Sequence, residues 1–357
     1  MRILIDATAV LLRSAGIKNY VYHWIQHLRQ EARNETVLAF PYLDRFGHLT
    51  HEGSVLSPAQ TYARLALLYF VNIPGNPALD WMGKADVFHV SNQIRIPVRK
   101  TKVTATLHDL TCWMMPELHT AANVKADRAF AEHALKRADR LIAVSQNTKS
   151  DAVRILGIDP SRIDVIYSGV PEVFFGARPQ PAERPYALFV GTIEPRKNID
   201  TLLDAWRSTR LADDFDLVIA GPLGWSAGKT MARLRAGIAG VRYKGYVSEH
   251  ELPALTAGAA AFVYPSLYEG FGFPVAQAMA AGVPVITSST SCLPEVAGDA
   301  AILVDPKSQE EIAGAMKLVL TSPSLRERLS AAGVVRAQEY RWETCARKSL
   351  EFFRRVQ

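Results

Sequence analysis

Twelve short runs of β-prone apolar residues alternate with longer helical stretches, six before a proline-rich break and six after it. This alternation constrains the fold more than any other feature, because strands separated by helices pair into parallel sheets covered on both faces. The expected strands of the first half are Arg2 to Asp6, Val37 to Phe40, Asp86 to Val90, Lys102 to Leu107, Arg140 to Ser145 and Asp164 to Tyr167. Those of the second half are Tyr186 to Gly191, Asp216 to Gly221, Val241 to Gly245, Ala260 to Pro265, Pro284 to Thr287 and Ala301 to Asp305. Between the sets, Pro171 to Pro185 holds four prolines and no apolar period, as an interdomain linker does. The expected architecture is α/β, with two doubly wound Rossmann-like domains at 1–175 and 176–341. A last helix at about 342–357 is placed back on the first domain. With 357 residues, each domain has enough chain for its own core. Loops at the strand C-terminal ends of two facing domains direct the search for ligand to an interdomain cleft.

Ser248 with Glu251 reads as a capping box, and Asp305-Pro306 and Ser322-Pro323 read as helix starts with proline at the first helical position. Cys112, Cys292 and Cys345 are an odd number without metal-ligand spacing, which points to a reducing compartment and a cytoplasmic location. No apolar run approaches the roughly 20 residues that span a bilayer. The net charge of +6 favours anionic partners, yet it is spread over both halves without a dense basic stripe, so nucleic acid is not expected.

Three loops carry the chemistry. Gly191-Thr-Ile-Glu-Pro-Arg196-Lys197-Asn198 puts two cations between a strand and a helix start, where guanidinium, ammonium and helix amides favour the same diphosphate. The alternative is a solvated basic turn. The second loop follows the next strand, where Gly221 opens Gly-Pro-Leu-Gly-Trp225 and allows close backbone approach to a ligand; the alternative is a plain turn. In the third, Tyr264-Pro-Ser-Leu-Tyr-Glu269-Gly-Phe-Gly-Phe-Pro-Val-Ala-Gln277 leads from a strand into a helix. Glu269 stands ahead of that helix as an acceptor for sugar hydroxyls, and the amides of Gly270, Phe271 and Gly272 turn toward the same ligand. Glu269 capping its own helix is the competing reading.

These segments, with Ala280-Ala-Gly-Val-Pro284, Leu293-Pro-Glu-Val-Ala-Gly-Asp299 and Ala143-Val-Ser-Gln-Asn-Thr148, resemble the group 1, family 4 glycosyltransferases over essentially the whole chain. The resemblance implies the GT-B fold and retaining transfer from a nucleotide sugar. It also implies that Arg196 and Lys197 bind the donor diphosphate, and that Glu269, the first acid of a Glu-x7-Glu motif, contacts the donor sugar. Gly270, Phe271 and Gly272 match the backbone donors around that sugar. In the first domain, Gly16 matches a loop that approaches phosphate and acceptor, and His108 matches a histidine beside the donor sugar. Without the family, His108 and His89 would both read as structural histidines at a strand, and Gly16 as a turn glycine. The chain departs from the motif at Gln277, where relatives hold the ribose hydroxyls with a second glutamate. An amide keeps one acceptor but loses the charge, which opens the reading of a dTDP-linked donor.

The mechanism implied needs no metal or other cofactor. Arg196 and Lys197 neutralise the leaving diphosphate, and the acceptor attacks from the leaving-group face with Glu269 positioning the sugar instead of acting as nucleophile. Alanine at Arg196 or Glu269 is then expected to abolish transfer and leave the fold intact. Mannose from GDP-mannose is the first donor choice, with UDP- and dTDP-sugars and a non-catalytic nucleotide-sugar binder as alternatives. The Asp214-Phe-Asp216 triplet, which by letter suits a metal-dependent transferase, opens a strand at the end opposite the ligand side. No glycine-rich dinucleotide fingerprint follows a strand, which argues against a nicotinamide enzyme. The acceptor is expected to be a glycan or lipid-linked glycan. Ser57 to Ile73, with Tyr62, Tyr69, Phe70 and Arg64, together with Arg99, Lys100 and Lys102, suggests peripheral membrane contact; an amphipathic core helix is the alternative.

Overall fold

The computed structural model describes residues 1–12, 16–50, 53–73, 76, 85–91 and 101–356. The chain forms two compact units, Met1–Gly169 with Trp342–Gln357, and Val170–Arg341. In the first unit β1 (Arg2–Asp6), β2 (Thr36–Phe40), β3 (Val87–Val90), β4 (Lys102–Leu107), β5 (Arg140–Ala143) and β6 (Ile163–Val165) pair in parallel in the order β2-β1-β3-β4-β5-β6. Ile3, Leu4 and Ile5 are all buried, as expected for a strand covered on both faces. The order reverses between β1 and β3, at whose carboxyl ends Ser91 donates to Asp6 at 2.6 Å.

The second unit contains β7 (Tyr186–Val190), β8 (Asp216–Ala220), β9 (Val241–Gly245), β10 (Ala261–Tyr264), β11 (Val285–Ser288) and β12 (Ala301–Val304). Its order is β12-β11-β10-β7-β8-β9, again parallel throughout. The neighbours β7 and β10 mark its reversal, and doubly wound sheets bind ligand in the crevice that opens at the carboxyl ends of such a pair. The loops after these two strands are the ones that carry Arg196, Lys197 and Glu269.

The helix Trp342–Val356 packs on the helix Gly16–Glu31 in the first unit. Leu350, Phe352 and Phe353 form its buried face, at about 1.5–3 kcal/mol for each side chain removed from water. Ser349 accepts from the Trp24 indole at 3.0 Å, while Arg354 reaches Glu35 and Arg355 reaches Asp164, each at 2.8 Å.

Two local expectations change. The proline-rich segment is folded onto the second unit: Phe174 is buried, Arg341 lies over the Phe175 ring at 4.1 Å, and the division falls at Gly169, ahead of the prolines. Asp305 does not cap a helix. Its carboxylate accepts from the Lys307 amide at 2.9 Å, and the helix Gln309–Thr321 starts after Ser308, which accepts from the Glu311 amide at 3.1 Å. In the helix Pro58–Val71, Val71 is buried and Leu67 and Leu68 pack on the core, but Tyr62 and Tyr69 are 73% and 78% exposed. Arg99 and Lys100 lie outside the described residues, and Lys102 is paired with Asp139 at 3.3 Å. The reciprocal bonds of the capping box at Ser248 form in the turn ahead of the helix Leu252–Ala257, with the Glu251 amide donating to Ser248 Oγ at 3.3 Å and the Ser248 amide donating to Glu251 Oε2 at 3.4 Å. Asp216 opens β8 and holds Arg184 and Arg242 at 3.4 and 2.6 Å, the role of a buried counter-ion.

Candidate active site

Pro195 starts a short 3-10 turn, Pro195–Lys197, in the loop after β7, and Asn198 ends it in the left-handed conformation (φ 59°) that asparagine tolerates better than most residues. The Asn198 amide donates to the carbonyls of Pro265 and Pro306 at 3.0 and 2.6 Å, tying the basic turn to the loop after β10. Leu267 N–H donates to the Arg196 carbonyl at 2.9 Å and completes the tie.

This backbone clamp brings together charges 72 and 73 positions apart in sequence. Lys197 Nζ donates to Glu269 Oε1 at 2.6 Å and to the Tyr264 hydroxyl oxygen at 2.6 Å. Tyr264 and Ser266 also donate to Oε1, at 3.0 and 2.6 Å. Arg196 Nη1 meets Glu269 Oε2 at 2.9 Å and the Tyr268 carbonyl at 2.7 Å, and Nη2 meets Glu194 at 2.8 Å. Glu194, Lys197 and Glu269 are buried. Burial alone raises the pKa of the Glu269 carboxyl, but Arg196, Lys197 and the hydrogen bonds from Lys197 and Ser266 outweigh it and hold it at about 2. Burial and the adjacent guanidinium pull the Lys197 ammonium below its ordinary value, against the pull of Glu269 and Glu194.

Glu269 is therefore no helix cap, and the basic pair is no solvated turn. Among the described residues Oε1 takes three donors and Oε2 meets one, so the acceptor position still open is on Oε2. That geometry suits a contact to one hydroxyl and leaves little freedom for nucleophilic attack. It also corrects the expectation that Glu269 can be removed without cost to the fold.

Downstream, Gly270 to Gly272 lead into the helix Phe273–Ala280, with Gly272 left-handed at φ 83°. The Phe271 ring is buried against Phe273 and Tyr340, so any ligand contact falls to its backbone. Gln277 is the fifth residue of that helix; its side chain is 9% exposed and has no hydrogen bond among the described residues. Gly221 has φ 144°, and a Cβ there would lie 2.0 Å from the Gly191 carbonyl oxygen. The close approach that requires glycine is thus between the loops after β8 and β7.

In the first unit, Gly16 starts the helix Gly16–Glu31, where an added Cβ would meet nothing; Arg13 to Ala15 lie outside the described residues. His108 follows β4 and is half-buried, and its Nε2 is enclosed without a hydrogen-bond partner among the described residues. Burial pushes its imidazole down to about 4 against the pull of Asp109, so the ring is neutral at physiological pH. His89 is different: both ring nitrogens lie 2.9 Å from threonine hydroxyls, of Thr104 and Thr106, and it serves the sheet. Sequence reasoning passed over Glu194, Tyr264, Ser266 and Asn198. A glutamate two residues before the arginine and an asparagine at a helix start were the available signals.

A family model described as glycosyl transferases group 1 matches residues 172–335, and one for Glycosyltransferase Family 4 matches residues 14–174. The O-antigen chain mannosyltransferase B of Escherichia coli is 32% identical over 284 residues, covering 75% of this chain and 74% of that protein. Sucrose-phosphate synthase from Thermosynechococcus elongatus superposes with a TM-score of 0.76 at 20% identity over 99% of this chain and 98% of the other. Anabaena Alr3699/HepE, solved in complex with UDP-glucose, gives 0.74 at 15% identity over 99% of both chains. The chain belongs to the group 1, family 4 glycosyltransferases and has their GT-B fold.

Proposed function

We propose that this glycosyltransferase moves mannose from GDP-mannose, with retention of configuration and without a metal, to a hydroxyl of a glycan or lipid-linked glycan. The observation that carries the reading is the convergence of Arg196, Lys197 and Glu269 at the reversal point between β7 and β10. Mannose rests on the O-antigen mannosyltransferase relative.

In this reading the Arg196 guanidinium and the Lys197 ammonium face the donor diphosphate, which takes up negative charge as the anomeric carbon–oxygen bond breaks. Glu269 Oε2 accepts from a sugar hydroxyl, the backbone of Gly270, Phe271 and Gly272 surrounds the sugar, and Gly221 and Gln277 line the nucleotide side. Gly16, at a helix N-terminus, is assigned to the donor phosphate, and His108, a neutral hydrogen-bonding group, to the sugar. The acceptor oxygen attacks from the face the diphosphate leaves, and its proton passes to the departing phosphate oxygen. The two cations provide the charge stabilisation that a metal supplies in other transferases.

Incubation with GDP-, UDP- and dTDP-sugars, with mass detection of released nucleotide, is expected to show GDP release from GDP-mannose that is insensitive to chelation. The glycoside formed should keep the donor's anomeric configuration by proton NMR. Dependence on added manganese or inversion at the anomeric carbon would overturn the mechanism. Preference for a dTDP-sugar would instead follow from Gln277, whose uncharged amide suits a ribose lacking one hydroxyl.

The exposed rings of Tyr62, Tyr69 and Phe70 support a peripheral membrane face for the lipid-linked acceptor, since aromatic side chains partition to bilayer interfaces. No helix among the described residues is long and apolar enough to cross a membrane. Co-sedimentation with anionic liposomes is expected and should drop at least about fivefold in a Tyr62→Ser/Tyr69→Ser variant. An absence of sedimentation by the unaltered protein contradicts this face.

A further inference from the structure

We propose that Tyr20 is a positioning residue for His108, and that Trp342, the first residue of the last helix, holds Tyr20 in place. The inference rests on the role assigned to His108 above. The enclosed Nε2 of that imidazole has no hydrogen-bond partner among the described residues. The neighbouring Asp109 turns away, accepting with Oδ1 from the Thr111 amide at 3.0 Å and the Thr111 hydroxyl at 2.7 Å. Both nitrogens of His89, by contrast, are fixed by threonines. One histidine of this sheet is thus held by hydrogen bonds and the other by packing.

The packing partner is specific. Tyr20 meets His108 at a centroid distance of 5.0 Å and an interplanar angle of 84°, an edge-to-face contact, and it makes the one ring contact of His108 among the described residues. Such contacts depend on direction, so they select an orientation of the imidazole as well as a volume for it. Tyr20 is itself buried, one turn inside the helix that Gly16 starts. Trp24 lies against it at 5.3 Å and Trp342 at 5.6 Å.

Trp342 is seated just as firmly. A Cβ on Gly169 would lie 2.2 Å from its Cδ2, so only glycine leaves room for the indole. The rings of His23 and His27 stack on it at 5.9 and 6.0 Å. The last helix therefore has a second task beside covering the first unit: through Tyr20 it sets the angle at which the imidazole presents its nitrogens.

A double-mutant cycle tests this. Tyr20→Leu is expected to lower kcat about tenfold with donor KM within about twofold, and Tyr20→Phe, which keeps the ring, to stay within about twofold of the unaltered protein. In a His108→Ala background, Tyr20→Leu should cost nothing further. An equal loss in both backgrounds would show that Tyr20 acts through the fold alone and would overturn the proposal. If His108→Ala itself retains full activity, the role of His108 fails. The positioning is then read from the His108 ring signals by NMR, which must shift in Tyr20→Leu and are overturning if they do not. Should Tyr20→Leu not fold, Trp342→Phe takes its place in the same cycle, with an expected loss of about threefold that must likewise vanish without His108.

Discussion

Glu269→Ala is expected to lose more than about 100-fold in transfer rate and about 3–5 kcal/mol in stability, because it removes the anion around which a buried network is built. Both carboxylate oxygens are held, by Lys197, Tyr264 and Ser266 on one side and Arg196 on the other. Truncation takes the shared carboxylate away from the buried Lys197 and the Arg196 guanidinium, while Glu194 stays bonded to Arg196. The pH dependence of the loss follows in sign. The folded-state carboxyl, at about 2, lies below the roughly 4.3 of an unfolded glutamate, so its stabilisation is fully present above about 4.3 and is lost as pH falls toward 2. The stability gap between Glu269→Ala and the unaltered protein is therefore expected to be widest near neutrality and to narrow in acid. Urea unfolding at pH 7 and pH 3, with nucleotide release as the activity readout, checks both parts. An alanine variant as stable as the parent contradicts the network.

Arg196→Ala is expected to reduce kcat/KM by about 100- to 1,000-fold, the scale seen when one preorganised charge donor is removed from a transition state. Its guanidinium spans Glu194, Glu269 and the Tyr268 carbonyl at once, so it is the clasp between two loops beside the diphosphate-binding role proposed for it. Arg196→Lys separates the two tasks. A lysine keeps the charge but cannot reproduce a fork of donors, so partial recovery of activity is expected with incomplete recovery of melting temperature. Steady-state kinetics on the two variants, read beside their melting curves, distinguishes the contributions. Full activity in Arg196→Ala removes the arginine from the mechanism.

The strands were legible in the sequence because buried parallel strands are short, β-branched and apolar, as in Arg2–Asp6 and Tyr186–Val190. What the linear chain does not display is strand order. Arg196 and Glu269 meet because β10 is the neighbour of β7, and nothing local to either loop states that pairing. The sequence therefore suggested a cation pair and an acid as separate parts, where the structure has one ion cluster. The same blindness to distant partners explains Phe174 and Phe175, hidden among prolines that read as a linker. At Asp305 the reason is local: a rival pair, Ser308 with Glu311, makes the stronger helix start. For Tyr62 and Tyr69, an apolar stripe tells of amphipathic character but not of which face the core takes.

Gln277 illustrates the division between what residues and geometry supply. Its departure from glutamate is visible only against the family motif, and its place in the helix that follows Gly272 comes only from the fold.

The cluster of Arg196, Lys197 and Glu269 is the proposed seat of the nucleotide diphosphate. Isothermal titration of GDP and UDP into the unaltered protein and into Arg196→Ala measures this without requiring the acceptor. The unaltered protein is expected to bind at least one of the two nucleotides, with a loss of at least about 30-fold in Arg196→Ala, about 2 kcal/mol for the charge-assisted contacts removed. Equal affinity in the two proteins would contradict it.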